Sequence, residues 1–132
     1  MNKIKSQKYS YIIANSQNIL GMEEYIYATE WWCSQRNNNY SLEHKLSFKL
    51  SLIESIYNRC KDHWYPTNPA SGSGYRSIIN DIHVDPLLLK ACNDARIDSS
   101  CLPNDCVQLI NPGSVYVRCM SNDNIKQIIF VK

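Results

Sequence analysis

Histidine, cysteine and carboxylate side chains are the first candidates for chemistry, because acid–base catalysis and metal binding both depend on them. Cys60 and His63 lie three positions apart at a predicted helix end, a spacing at which both could bind one metal ion. Two ligands do not make the four-ligand site of structural zinc. His44 and His83 add no recognisable combination of nucleophile, base and orienting acid. The sequence therefore predicts neither an enzyme nor a metal or cofactor site.

The run Gly72-Ser73-Gly74 resembles a phosphate-binding loop only superficially. A P-loop requires Gly-Lys-Ser/Thr at the start of a helix. Here Tyr75 and Arg76 follow, and we predict that they open a strand. We expect no nucleotide at this loop.

Composition limits the other classes of function. The formal charge of +2 is too weak to predict a nucleic-acid-binding surface, so we expect no direct contact with nucleic acid. No apolar run approaches the length of a signal peptide core or a membrane span. The six cysteines include no Cys-x-x-Cys pair, so we expect reduced thiols. The chain is interpreted as one soluble, intracellular domain.

Two amphipathic helices are predicted before residue 63. The first begins near Met22, with an aromatic stripe and acidic residues in its first turn. The second follows the N-cap Ser41 and ends near Asp62. The members of the stripe are Tyr25, Ala28, Trp31 and Trp32.

The second half of the chain predicts short elements and strands. Prolines 66 and 69 and the following glycines predict a loop with a tight turn, then a strand over residues 75–79. Asp85 and Pro86 predict the start of a helix whose core face includes Leu87, Leu88 and Ala91. Three strands follow, over 107–110, 115–119 and 125–131. Short turns between consecutive strands predict an antiparallel sheet.

Aromatic residues around the loop could be core anchors or exposed binding residues. We interpret Trp64 as a core anchor, because a Trp beside a helix end and a proline corner can bury its ring. For Tyr75 the sequence leaves both roles open.

The segment from His63 to Pro86 resembles box A of the BTG/Tob antiproliferative proteins. The matching positions are His63, Trp64, Tyr65, Pro66, Pro69, Gly72, Gly74, Tyr75, Arg76, Ile78, Asp85 and Pro86. The resemblance extends from Met22 to Val131, and family members usually start near Met22. It implies an N-terminal extension over 1–21 and a BTG/Tob-like domain over 22–132. The implied fold is α+β: an N-terminal helical hairpin and further short helices packed on a small, mainly antiparallel sheet.

Box B, the second family motif, is altered in this chain. Leu102, Pro103, Pro112 and other positions fit the pattern, but Leu109 stands where the family usually has Trp and Asn111 where it usually has Asp. Loss of an interface Trp commonly costs about 2 kcal/mol or more. Loss of a charge-assisted bond costs about 1.5–3 kcal/mol. Together the two losses would weaken binding by roughly two to three orders of magnitude.

The resemblance implies a non-catalytic adaptor. Such domains bind the DEDD-type poly(A) nuclease subunit of the CCR-NOT complex, which links deadenylation of messenger RNA to restraint of proliferation. By position, the partner-binding residues are Tyr75, Leu109, Ile110, Asn111 and Pro112. A transcription-cofactor module that binds nuclear transcription factors is the alternative. The altered box B leaves open a co-varied partner or a lost interaction, and activation or competition. We expect a monomer in cytoplasm and nucleus.

Overall fold

Within the residues that the structure describes, the domain has four helices and four strands. A computed structural model describes residues 19–35, 40–120 and 125–132. The helices are α1 (Met22–Gln35), α2 (Leu42–Cys60), α3 (Ser73–Arg76) and α4 (Pro86–Ala95), with 3-10 turns at Lys61–His63 and Ser99–Cys101. The strands are β1 (Ile78–Asn80), β2 (Cys106–Asn111), β3 (Ser114–Cys119) and β4 (Ile125–Val131). The predicted N-terminal extension lies largely outside the described residues.

The strands form one antiparallel sheet in the order β1-β2-β3-β4. The buried residues of β2 and β3 alternate with half-buried ones, as expected for a sheet with one face on a core. Helix α1 packs against β2, β3 and β4, while α2 packs against α1 and α4. The predicted α+β fold with an antiparallel sheet is therefore confirmed.

The predicted starts of α1 and α4 are confirmed. The first helix begins at Met22, and its aromatic stripe is buried. The Asp85 side chain caps α4 by accepting from the Leu87 backbone N–H, with Pro86 at the first helical position. Leu87, Leu88 and Ala91 all face the core. The sequence signals for helix termini were sufficient here.

The predicted strand over residues 75–79 is wrong in its first half. Residues 73–76 form the single turn α3, and the strand begins only at Ile78. The turn closes because the Ser77 backbone N–H and hydroxyl both donate to the Ser73 carbonyl, at 3.0 and 2.8 Å. Gly72, with φ of 76°, starts the turn in the left-handed region that favours glycine. With residues 73–76 in this helical turn, the Arg76 side chain points into the domain and is buried.

Candidate docking surface

Arg76 is the central polar residue of the domain. Its side chain is fully buried, and each of its five N–H donors has its own oxygen acceptor. Nε donates to the Ile110 carbonyl at 2.7 Å, Nη1 to the carbonyls of His63 and Ser71 at 2.6 Å each, and Nη2 to the Pro69 carbonyl at 2.7 Å and the Asn111 Oδ1 at 2.8 Å. The guanidinium therefore ties the loop that contains His63, Pro69 and Ser71, which we call the box A loop, to β2, which carries box B.

The charge of Arg76 is surrounded by neutral oxygens. Its five acceptors are four backbone carbonyls and one amide, and Asn111 supplies that amide at the position where the resemblance implies Asp. Burial lowers the pKa of Arg76 below its ordinary value. The Asn111 side chain thus holds the box A loop in place, a role that the sequence did not reveal.

Gly72 is needed beside this guanidinium for space as well as for conformation. A Cβ at this position would lie 3.0 Å from the Arg76 Nη1 and 3.1 Å from the Tyr65 ring. The structure thus gives this box A glycine a packing reason. Gly74 differs, because a Cβ there would meet nothing within 4 Å.

The aromatic residues of box A divide between core and surface. Trp64 is partly buried, with its ring 5.1 Å from that of Tyr25 in an edge-on contact. This supports its interpretation as a core anchor. Tyr75 is 66% exposed, and its ring stacks on His63 at a centroid distance of 4.1 Å. The open question at Tyr75 is settled in favour of the surface.

The face of the sheet opposite the buried residues carries an apolar row. Leu109 on β2 pairs with Tyr116 on β3, and Tyr116 pairs with Ile128 on β4. Ile128 is 62% exposed, and Leu109 and Tyr116 are half-buried. The Lys126 ammonium lies 4.1 Å from the Tyr116 ring centroid. We call the three side chains of Leu109, Tyr116 and Ile128 the apolar row.

The predicted partner-binding residues do not all reach the surface. Leu109, Asn111 and Pro112 are half-buried, whereas Ile110 is 1% exposed and belongs to the core. Because β2 alternates between faces, Ile110 points towards the helices and its side chain offers no surface to a partner. The Ile110 side chain is therefore not part of the candidate docking surface. Its carbonyl instead accepts from Arg76.

The box B turn is fixed by contacts from elsewhere in the chain. Pro112 and Gly113 form a two-residue turn, with Gly113 at φ of 87°. The buried Glu24 carboxylate on α1 accepts from the Gly113 backbone N–H at 3.1 Å. The Gly113 carbonyl accepts from the Lys132 N–H at 2.9 Å. Helix α1 and the chain after β4 therefore both hold this turn.

A buried amide network also joins α1 to β2. Gln108 is fully buried; its Oε1 accepts from Trp32 Nε1 at 2.7 Å, and its Nε2 donates to the Ala28 carbonyl at 3.1 Å. Gln108 was not among the residues predicted to matter from the sequence. A polar residue at an inward position of β2 was the available signal, since such a residue needs buried partners.

A second arginine fastens the other end of box A. Arg59 on α2 donates to both carboxylate oxygens of Asp85, at 3.0 and 2.7 Å, and to the Ser77 carbonyl. Asp85 also accepts from the Ile79 N–H on β1. Burial acts to raise the pKa of Asp85, but these hydrogen bonds and the Arg59 charge outweigh it, so the pKa lies below its ordinary value.

Cys60 and His63 are the two candidate metal ligands of the sequence. Burial raises the pKa of the Cys60 thiol to about 12, and thiolate is the form that binds metals. His63 stacks on Tyr75. Within residues 19–35, 40–120 and 125–132 there is no group of three or more side chains able to hold a metal ion. In the same ranges no helix is long and apolar enough to span a membrane.

Comparisons with known proteins identify the class. The model of the BTG family matches residues 22–129. A BTG family protein of Dictyostelium discoideum is 32% identical over 103 residues, covering 74% of this chain and 24% of the relative. Rat protein BTG3 is 36% identical over 81 residues (58% of this chain, 32% of the relative), and human protein BTG1 is 31% identical over 83 (60% and 48%). The chain thus spans between a quarter and a half of these relatives' lengths.

A solved structure agrees with the fold. The BTG/Tob domain of FOG-3 from C. elegans superimposes with a TM-score of 0.75 at 19% identity, covering 84% of this chain and 90% of that one. The domain is therefore of the BTG/Tob class. The chain belongs to the BTG family, and none of the relatives named above carries the name of an enzyme.

Proposed function

We propose that this domain is a non-catalytic interaction module that binds the poly(A) nuclease subunit of the CCR-NOT complex and thereby modulates deadenylation and restrains proliferation. The observation that supports it most is the combination of an exposed Tyr75 in box A and an apolar row that begins at Leu109 in box B. As part of the proposal the domain acts as a monomer, in cytoplasm and nucleus.

The side chains of this surface suit protein recognition. Aromatic residues are enriched in the buried centres of interfaces, and Tyr75 and Tyr116 both present rings here. The row adds aliphatic area from two further strands. Such side chains bind a partner by desolvation and shape, which requires no catalytic group on this chain.

Rigidity of the surface also favours binding. Tyr75 directly precedes Arg76, whose five hydrogen bonds fix the box A loop on β2. Glu24 fixes the box B turn. A surface that is ordered before the encounter loses less conformational entropy when the partner binds.

Titration calorimetry against the nuclease subunit of the same organism tests the proposal. We expect micromolar or tighter binding by the wild type. Tyr75→Ala should weaken it by about 2 kcal/mol, since hot-spot aromatics contribute on this scale. Leu109→Trp, which restores the usual family residue, should tighten it about tenfold, or about 1.4 kcal/mol.

Leu89→Ala is the matched control for changes at Leu109, because Leu89 is an exposed leucine on α4, an element that carries neither Tyr75 nor the apolar row. It should leave the affinity unchanged. Absence of binding by both the wild type and Leu109→Trp would refute the deadenylase proposal. In that case, retention of nuclear transcription factors by the same surface would favour the cofactor function.

A further inference from the structure

Two cysteines face each other across the β2–β3 hairpin. Cys106 and Cys119 are register partners at the end of the hairpin away from the Pro112-Gly113 turn. The next pair outwards is Asp105 and Met120, where the Met120 N–H donates to the Asp105 carbonyl at 2.8 Å. Hydrogen-bonded and non-hydrogen-bonded pairs alternate along an antiparallel ladder. The cysteines therefore occupy a non-hydrogen-bonded pair.

This position brings the two thiols together. In a non-hydrogen-bonded pair the Cα atoms lie about 4.5 Å apart, within the range that a disulfide spans. The Cys106 thiol donates to the Asn104 carbonyl at 3.3 Å. Burial first, and then the neighbouring Cys119 thiol, raise the pKa of Cys106 to about 12, so the two sulfurs are close enough to interact. Both are free thiols in this structure.

The pair is also accessible from one side. Cys119 is half-buried and lines an open groove of about 330 Å³ between β3 and β4, together with Val117, Ile125 and Gln127. Cys106 is 1% exposed. An oxidant that enters the groove therefore meets Cys119, and Cys106 is its partner on the neighbouring strand β2.

We propose that Cys106 and Cys119 form a reversible cross-strand disulfide that links β2 to β3 under oxidising conditions. A glutathione-type disulfide serves as the oxidant. The Cys119 thiolate attacks it to form a mixed disulfide and release one glutathione thiol. The Cys106 thiolate then attacks the Cys119 sulfur and releases the second. Two thiols lose two electrons and two protons, and one oxidised glutathione becomes two reduced molecules.

The link would act on the hairpin that carries box B. It closes a loop over residues 106–119, which includes Leu109 and the Pro112-Gly113 turn. Cross-linking a loop of roughly this length constrains the unfolded chain, and the thermal midpoint should rise by on the order of 10 °C. The proposal does not depend on the identity of the docking partner.

The test is peptide mapping of the full chain after incubation with oxidised glutathione, followed by alkylation of the remaining thiols. Trypsin separates the cysteines, because peptide 97–118 contains Cys106 and peptide 119–126 contains Cys119. We expect these peptides to be joined through Cys106, to separate on reduction, and the oxidised wild type to melt at the higher temperature.

Two variants control for other pairings. Cys101 lies in the same peptide as Cys106, so Cys101→Ser should retain the link, while Cys119→Ser should abolish both the link and the thermal shift. The proposal is overturned if the wild type yields only glutathione adducts, if fragmentation joins Cys119 to Cys101, or if both thiols stay fully alkylated.

Discussion

Two arginines fasten the ends of box A, and they do so by different means. Arg76 binds four backbone carbonyls and one amide oxygen, so its charge is held by dipoles. Arg59 binds both oxygens of the Asp85 carboxylate. Arg76 ties the first part of box A to strand β2, whereas Arg59 ties the last part of box A to helix α2. Of these two contacts, only that of Arg59 includes a carboxylate, whose pKa lies below its ordinary value.

The difference separates geometry from charge. The neutral acceptors around Arg76 require the planar, five-donor shape of the guanidinium. The Arg59–Asp85 pair depends on an ionised carboxylate. The Arg59 side chain is 25% exposed in the intact pair, so it can bind water when that carboxylate is lost. Box A is therefore secured at one end by shape and at the other by charge.

The largest effect should follow Arg76→Lys. Lysine has three donors on one nitrogen, so at least two of the five oxygens would be buried without a partner. We expect the free energy of unfolding to fall by about 4 kcal/mol, measured by chemical denaturation at neutral pH.

Arg118→Lys, at an exposed position of β3, is the control and should be nearly neutral. If Arg76→Lys lost no more than this control, the shape of the guanidinium would not be what holds box A on β2.

The next largest effect should follow Asp85→Asn. The variant loses the charge-assisted bonds with Arg59, and we expect a loss of about 2 kcal/mol at pH 7. The folded pKa of Asp85 lies below its unfolded value of about 3.9, so this stabilisation is complete above about pH 5 and disappears as the pH falls through the folded pKa. Denaturation curves of wild type and variant should converge only when the pH is below the folded pKa of Asp85.

Asp94→Asn serves as the comparison on the same helix. The pKa of Asp94 is also lowered, first by its hydrogen bond with Lys90, but its side chain is 46% exposed. It should lose much less stability at pH 7. A constant difference between wild type and Asp85→Asn across the whole pH range would contradict the role of charge at this pair.

A smaller gain is expected from Asn111→Asp. The variant places a carboxylate oxygen where Asn111 Oδ1 now accepts from Arg76 at 2.8 Å. The buried charge would gain a counter-charge, and we expect about 1 kcal/mol of added stability at pH 7. Because Arg76 would lower the folded pKa of the new Asp, the gain should vanish as the pH falls below about 4.

Asn104→Asp, in an exposed loop, tests for a general effect of added negative charge. Equal stabilisation by both variants would mean that Arg76 does not sense the new carboxylate. A gain confined to Asn111→Asp would extend the comparison, since Arg76 would then be held by charge as well as by shape.

Local sequence signals predicted the elements whose ends are determined by residues next to them in the sequence. The Ser41 and Asp85 caps marked α2 and α4, and the short turns between consecutive strands marked the antiparallel sheet. The strand predicted over 75–79 failed because Ser77 closes a helical turn on the Ser73 carbonyl, and this turn lets the Arg76 side chain bind the Ile110 carbonyl far along the chain. No local propensity contains that information.

The candidate site could be predicted only by position. The resemblance placed Tyr75 and Leu109 together as partner-binding residues, but it could not separate them from Ile110, whose side chain faces the core. It also assigned Asn111 to the partner, whereas its amide binds Arg76. These roles are decided by burial and by hydrogen bonds between residues far apart in the sequence, such as Arg76 and Asn111, which are 35 positions apart.

The smallest effect on stability should come from Tyr75→Ala. The ring is 66% exposed and contacts His63 by stacking, so we expect a loss of no more than about 0.5 kcal/mol in chemical denaturation. This makes Tyr75 the sharper probe of docking, because Asn111→Ala would disturb Arg76 and with it the box A loop. A stability loss as large as that of Asp85→Asn would instead show that the stacked pair belongs to the supports of box A, and that Leu109 is the cleaner site at which to test binding.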